Sequence, residues 1–266
     1  EHPVTLEFEK YFRTLGVGAT KNRNAGLITW KDGDFLDEEE FVMTGFTAKR
    51  VSLTKLAKDV QLSVLNMWVE GKSEQEIVSY LNDKYNSVMQ GKIPLSDVLQ
   101  RSRFREERFR LVCKDCNPKA RFDKGWSNKS VSVFDLMQHG GCIDDMGRVM
   151  EHSNFVTVGG KRPTFGSGVE GVLFSHSQGY EKIEDTYLYL RIKNCREHYM
   201  HPVTREFTTP NYVSRLTADE FSDFDPDWSH YAESVVKKAE PIFRAMGWNT
   251  MQIKRDTQQS SLEEWF

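Results

Sequence analysis

Residues 51–95 read VSLTKLAKDVQLSVLNMWVEGKSEQEIVSYLNDKYNSVMQGKIPL. Leu53, Leu56, Ala57, Val60, Val64 and Trp68 recur at three- and four-residue intervals, which puts one apolar face on a helix. Ser52 is an N-cap residue type and Gly71 a natural stop. Ser73-Glu74-Gln75-Glu76 has capping-box spacing and opens a second helix. Ile77, Leu81, Tyr85 and Val88 form its stripe, and Gly91 ends it. The short turn between them predicts an antiparallel helix pair.

The segments on either side differ. Residues 1–50 read as β-rich: a strand or short mixed segment over Thr5–Phe12, a strand at Leu27–Trp30, a turn at Lys31-Asp32-Gly33, and an extended Phe41–Met43. Glu38-Glu39-Glu40 reads as a solvated loop. Residues 227–246 form a third helix, with Trp228, Tyr231, Val235, Ala239, Ile242, Phe243 and Met246 near one face. Asp227 is its expected cap, Pro241 lies inside it and Gly247 ends it. The region between is less periodic. Gly159-Gly160 and Gly166–Gly168 read as loops, and Tyr187–Ile192 as a strand. The fold class expected is α+β.

The chain has 266 residues, 38% of them hydrophobic and 28% charged, with a formal charge of −3. This is a globular composition long enough to bury a core, and it excludes a uniformly basic nucleic-acid coat. The opening is polar, no apolar run approaches membrane-span length, and four Cys do not make a secreted disulfide scaffold. The expected location is intracellular, in cytoplasm or nucleoid.

The last eight residues, Gln259-Ser260-Ser261-Leu262-Glu263-Glu264-Trp265-Phe266, put two aromatics at the end of a polar tail. In a 3₁₀ turn Leu262 and Trp265 share a face with Phe266 beside them, and Gln259 reaches the rim. Such an apolar plug suits a binding pocket. The pattern resembles the PCNA-interacting peptide, Gln-x-x-aliphatic-x-x-aromatic-aromatic, at every defined position. The resemblance implies Gln259, Leu262, Trp265 and Phe266 as contacts to a sliding clamp.

Further segments resemble, in order, the C-terminal part of family B DNA polymerases of archaeal type. They are Leu6–Lys10, Lys21-Asn22-Arg23-Asn24-Ala25-Gly26, Gly45-Phe46-Thr47-Ala48-Lys49-Arg50, Leu56–Gln61, Gly91-Lys92-Ile93-Pro94-Leu95 and the Asp227-Trp228 helix with its internal Pro241. The match covers roughly residues 1–100 and 220–266. It implies a C-terminal palm segment over 1–50, a thumb over 51–254 with a divergent β-containing region at 101–220, and a clamp-binding tail over 255–266. It also implies duplex contacts by Lys49 and Arg50, with Lys21 and Arg23 offering further ones, aimed at phosphates rather than bases. Lys55, Lys58 and Lys92 are additional candidates, with a solvated helix face the competing expectation for each.

Two departures bear on catalysis. The sequence holds no Tyr-Gly-Asp-Thr-Asp motif, and phosphoryl transfer needs carboxylates that hold two metal ions. The family's Tyr is missing from Lys21-Asn22-Arg23-Asn24. The resemblance therefore implies a chain inactive alone: the small piece of a split polymerase, a fragment, or a relative that has lost catalysis. A larger part would carry the catalytic palm, fingers, exonuclease and Mg ions. The alternative is a non-enzymatic, clamp-binding and DNA-binding adaptor derived from a thumb. Glu7 and Glu9 read as solvent-facing strand carboxylates rather than catalytic acids.

Cys113-Lys114-Asp115-Cys116 is a Cys-x-x-Cys pair followed by Asn117-Pro118, in the manner of a zinc knuckle. Cys142 is taken as the third ligand of a structural zinc. His139, Cys195, His198 and His201 are further candidates to complete the tetrahedron. Packed thiols without metal are the competing expectation.

Overall fold

The structure is a computed structural model that describes residues 7–18, 22–46, 53–116, 130–143 and 146–254. The fold is α+β, and the chain divides into two compact units, 1–98 with 228–266 and 99–227.

The first unit begins with an antiparallel sheet of β1 (Lys10–Val17), β2 (Asn24–Lys31) and β3 (Asp34–Thr44), in that order. The predicted turn joins β2 to β3: Lys31 faces Asp34, and Asp32 and Gly33 both have positive φ, 52° and 111°. Two positive φ angles are what a two-residue I′ hairpin demands. The acidic run is not a loop. Glu38–Glu40 lie within β3, exposed, with Glu39 paired to Arg13 at 2.6 Å and Glu40 to Lys31 at 3.6 Å. Successive strand residues point to opposite faces, so the run shows that this part of β3 is exposed on both, and a strand without a buried face carries no alternation to read.

Helices α1 (Lys55–Val69) and α2 (Glu74–Met89) follow. The cap of α1 is Thr54, whose hydroxyl accepts from the Ala57 N–H at 3.1 Å; Ser52 lies outside the described residues. The capping box of α2 forms as its spacing predicts: the Ser73 hydroxyl accepts from the Glu76 N–H at 3.3 Å, and the Glu76 carboxylate accepts from the Ser73 N–H at 2.8 Å. Helix α5 (Trp228–Met246) runs through Pro241. Asp227, expected to cap it, pairs with Arg191 at 2.8 Å.

The three helices make the core of this unit. Leu56, Val60, Val64 and Leu65 of α1, Ile77, Leu81 and Val88 of α2, and Tyr231, Val235, Ala239, Ile242 and Phe243 of α5 are buried. Polar groups stitch the same seams. Gln61 Nε2 donates to the Lys238 carbonyl at 3.5 Å, and the Tyr85 hydroxyl to Glu233 at 3.4 Å. The sheet joins them where β1 lacks a side chain. A Cβ at Gly16 would lie 1.3 Å from the Trp68 ring, so the indole of α1 occupies the space over that glycine.

In the second unit, β4 (Gln100–Arg103), β10 (Thr186–Arg191) and β13 (Tyr212–Arg215) form one sheet with β10 central. Helix α4 (Ser167–Ser177) covers it. The Gly166–Gly168 segment opens this helix instead of forming a loop. Gly168 sits against the Tyr187 hydroxyl, 2.9 Å from where a Cβ would be, so close packing rather than turn geometry accounts for it. A second sheet has β5 (Arg110–Cys113) between β6 (Ser130–Ser132) and β9 (Phe155–Thr157). Helix α3 (Val133–His139) leads to the short hairpin of β7 (Cys142–Ile143) and β8 (Val149–Met150). A two-stranded pair, β11 (Tyr199–Met200) with β12 (Phe207–Thr208), lies further on. Stacked rings of Phe104, Phe109 and Phe134 run on to His176 of α4.

Candidate functional site

Strand β5 ends at Cys113, and the chain turns at once through Lys114–Cys116. That turn places two thiols three residues apart on one side. β5 also pairs with β9, with Cys113 opposite Phe155, which brings the segment before β9 alongside. The Lys114 N–H donates to the Asn154 carbonyl at 2.9 Å, and the Asn154 N–H to the Asp115 carboxylate at 3.3 Å. His152 is thereby held beside the turn. Its Nδ1 is 3.1 Å from the Cys116 sulfur and 3.4 Å from the Cys113 sulfur.

The third thiol arrives on the β7–β8 hairpin, where Cys142 faces Met150. The hairpin closes tightly: a Cβ at Gly141 would be 2.4 Å from the Met150 carbonyl oxygen. The His152 N–H donates to that same carbonyl at 2.8 Å, so the cysteine strand and the histidine share one anchor. The Arg205 guanidinium donates to the His152 carbonyl. One ligand atom each from Cys113, Cys116, Cys142 and His152 falls in a group whose members all lie within 4.8 Å of one another. Cys113 and Cys142 are buried, His152 is half-buried and Cys116 is exposed.

Burial, followed by the neighbouring Cys113 sulfur, pushes the Cys116 and Cys142 thiols up from their ordinary value. Without a cation these groups therefore hold their protons. A soft divalent metal would displace them and could be held by all four side chains.

Of the ligands expected from the sequence, the structure brings Cys113, Cys116 and Cys142 together and supplies His152 as the fourth. His139, Cys195, His198 and His201 are not in the group. The His201 ring instead accepts from the Val203 and Thr204 N–H groups at 3.3 and 3.1 Å, closing its own turn.

The expected duplex contacts are partly placed. Lys21, Lys49 and Arg50 lie outside the described residues, as do Gln259, Leu262, Trp265 and Phe266. Arg23 sits just before β2, and its carbonyl accepts from the Gly18 N–H at 2.6 Å. Lys55 and Lys58 are in the first turn of α1, and Lys92 is exposed beyond α2. Lys55 pairs with Asp97 at 3.0 Å, a carboxylate that competes with any phosphate. Since Asp97 lies five residues past Lys92, this pair also puts the start of α1 and the exit of α2 at one end of the helix pair. Glu7 and Glu9 are exposed. No helix among the described residues is long and apolar enough to cross a membrane.

No family model matches the sequence, and no curated protein does. Among solved structures, the chain is similar to the family B DNA polymerase from the hyperthermophilic archaeon Pyrobaculum calidifontis, with a TM-score of 0.44 and 17% identity. That likeness covers 84% of this chain, which spans 20% of the polymerase chain.

Proposed function

We propose that this chain is the C-terminal palm–thumb part of a family B DNA polymerase, which grips primer–template duplex and tethers the enzyme to a PCNA-type sliding clamp. One observation carries the reading. The sequence segments that resemble the family occupy the two ends of the chain, roughly 1–100 and 220–266, and the described residues of 1–98 and 228–266 fold into one compact unit. Segments more than a hundred residues apart have no local reason to co-fold, but the parts of a single thumb do.

On this reading β1–β3 are palm strands, α1, α2 and α5 are the thumb, and 99–227 is an elaboration of it. Lys58 and Lys92, at one end of the helix pair, face backbone phosphates, and Lys55 joins them only at the expense of its Asp97 partner. Nucleotidyl transfer and its Mg ions belong to a larger part bearing the catalytic palm, fingers and exonuclease. The tail raises the local concentration of the protein at DNA without a tight DNA site.

Calorimetric titration of the full chain into a cognate clamp tests the tether. Wild type is expected to bind. The Trp265→Ala/Phe266→Ala double variant is expected to lose at least a hundredfold, because two buried aromatic anchors dominate such interfaces. Wild type that does not bind at high micromolar concentration removes the clamp assignment.

A second reading, a non-enzymatic clamp-binding and DNA-binding adaptor, is favoured by the altered Lys21-Asn22-Arg23-Asn24 stretch, which lacks the family's Tyr, and by the divergent 101–220 region. Co-purification separates the two. A partner chain that carries the aspartate motif and extends primers supports the split enzyme. Clamp and duplex binding with no such partner supports the adaptor.

A further inference from the structure

We propose that Cys113, Cys116, Cys142 and His152 bind one zinc ion in a closed tetrahedral site that staples the 99–227 unit. The donor set selects the metal. Three thiolates and an imidazole are soft to borderline ligands, suited to zinc, and no carboxylate or carbonyl oxygen in the set invites calcium or magnesium.

The distances fit. With zinc–sulfur bonds of about 2.3 Å and zinc–nitrogen bonds of about 2.0 Å, a tetrahedron has sulfur–nitrogen edges of about 3.5 Å. The two measured here are 3.1 and 3.4 Å, and the whole group fits within 4.8 Å. Small outward movements of the exposed Cys116 complete the polyhedron.

Four protein ligands leave no coordination position for water or substrate, which is the mark of a structural rather than a catalytic zinc. The role follows from where the ligands come from. Cys113 closes β5 and Cys116 the turn after it. Cys142 brings the β7–β8 hairpin and His152 the lead into β9. The chain between Cys116 and Cys142 is thus closed at both ends by one ion. Through the Arg205 bond to the His152 carbonyl, the same ion steadies the turn between β11 and β12. Strands of two residues cannot hold such a region by their own ladder bonds, so a cross-link supplies the fixed point. A disulfide would use two of the three thiols and strand the third beside the imidazole.

The inference holds whether or not the chain grips DNA. It is tested on the full chain, purified under reducing conditions without chelator from zinc-supplemented cells. Elemental analysis is expected to find one zinc per chain. After chelation, titration with Co(II) is expected to give the visible absorption of a tetrahedral thiolate–imidazole site, saturating at one equivalent. Cys116→Ser and His152→Ala are expected to cut bound metal at least tenfold, while Cys195→Ser and His139→Ala keep it. Wild type that takes up neither zinc nor Co(II) overturns the proposal, as does a disulfide within the cluster under these conditions or equal metal loss in Cys195→Ser. The wild-type titration needs no variant, so it decides the question even where a substituted chain does not fold.

Discussion

Glu76 shows how local a readable signal is. Its carboxylate accepts from the Ser73 N–H and hydroxyl, and the Ser73 N–H, then the hydroxyl, hold its pKa below the ordinary 4.5. A depressed carboxyl contributes stability that is present above its unfolded value and lost as pH falls through the folded one. The stability difference between wild type and Glu76→Gln, measured by urea melts, is therefore expected to be present above pH 4.5 and to shrink below it; a difference that grows on acidification contradicts the cap. All parts of this device lie within four residues, so the sequence displays them. His152 is the opposite case. It lies 36 residues from Cys116, and spacing favours His139 or the 195–201 cluster just as well. Its place is set by the β7–β8 hairpin and by the pairing of β5 with β9, and neither has a periodic signature at two or three residues per strand. A Gly before Cys142 that leaves no room for a Cβ is a faint clue, visible only in retrospect.

Among elements, those with a sustained period were legible. α1, α2 and α5 carry apolar stripes over fifteen residues or more, and most of each stripe is buried, with Trp68, Tyr85, Trp228 and Met246 half-buried at its margins. β3 was half legible, because its Glu38–Glu40 run lies on an edge strand exposed to water, where no alternation is imposed. α4 was not, since its buried residues, Val169 and Gly171–Ser175, leave almost no polar face. The seam between sheet and α1 rests on a feature that composition hides. Gly16→Ala would drive a methyl into the Trp68 ring. A destabilisation of about 1–3 kcal/mol, the usual cost of overpacking, is expected in denaturant melts. Trp68→Leu in the same chain should recover part of it. A Gly16→Ala chain as stable as wild type would show that the ring moves aside without cost.

For the whole molecule, charge says little: −3 over 266 residues neither requires nor forbids a nucleic-acid partner. Placement is more informative, because Lys58 and Lys92 fall at one end of a helix pair. If they meet phosphates, log affinity for a recessed duplex falls linearly with log salt, and each contact adds about 0.9 to the slope. Fluorescence anisotropy across a salt series is expected to show Lys58→Ala/Lys92→Ala with a slope smaller by about 2. An unchanged slope takes these residues out of the interface. The discontinuous unit also has a consequence for biosynthesis. A ribosome delivers α1 and α2 first, then the 138 residues from 90 to 227 before α5 begins. At 5–20 residues per second that wait is on the order of ten seconds. Throughout it Leu81, Val88 and Leu65 have no third helix to cover them, while the intervening stretch has time to fold and, in a cell with metal to spare, to load. Nascent-chain holdases would have their longest opportunity on this protein in that interval.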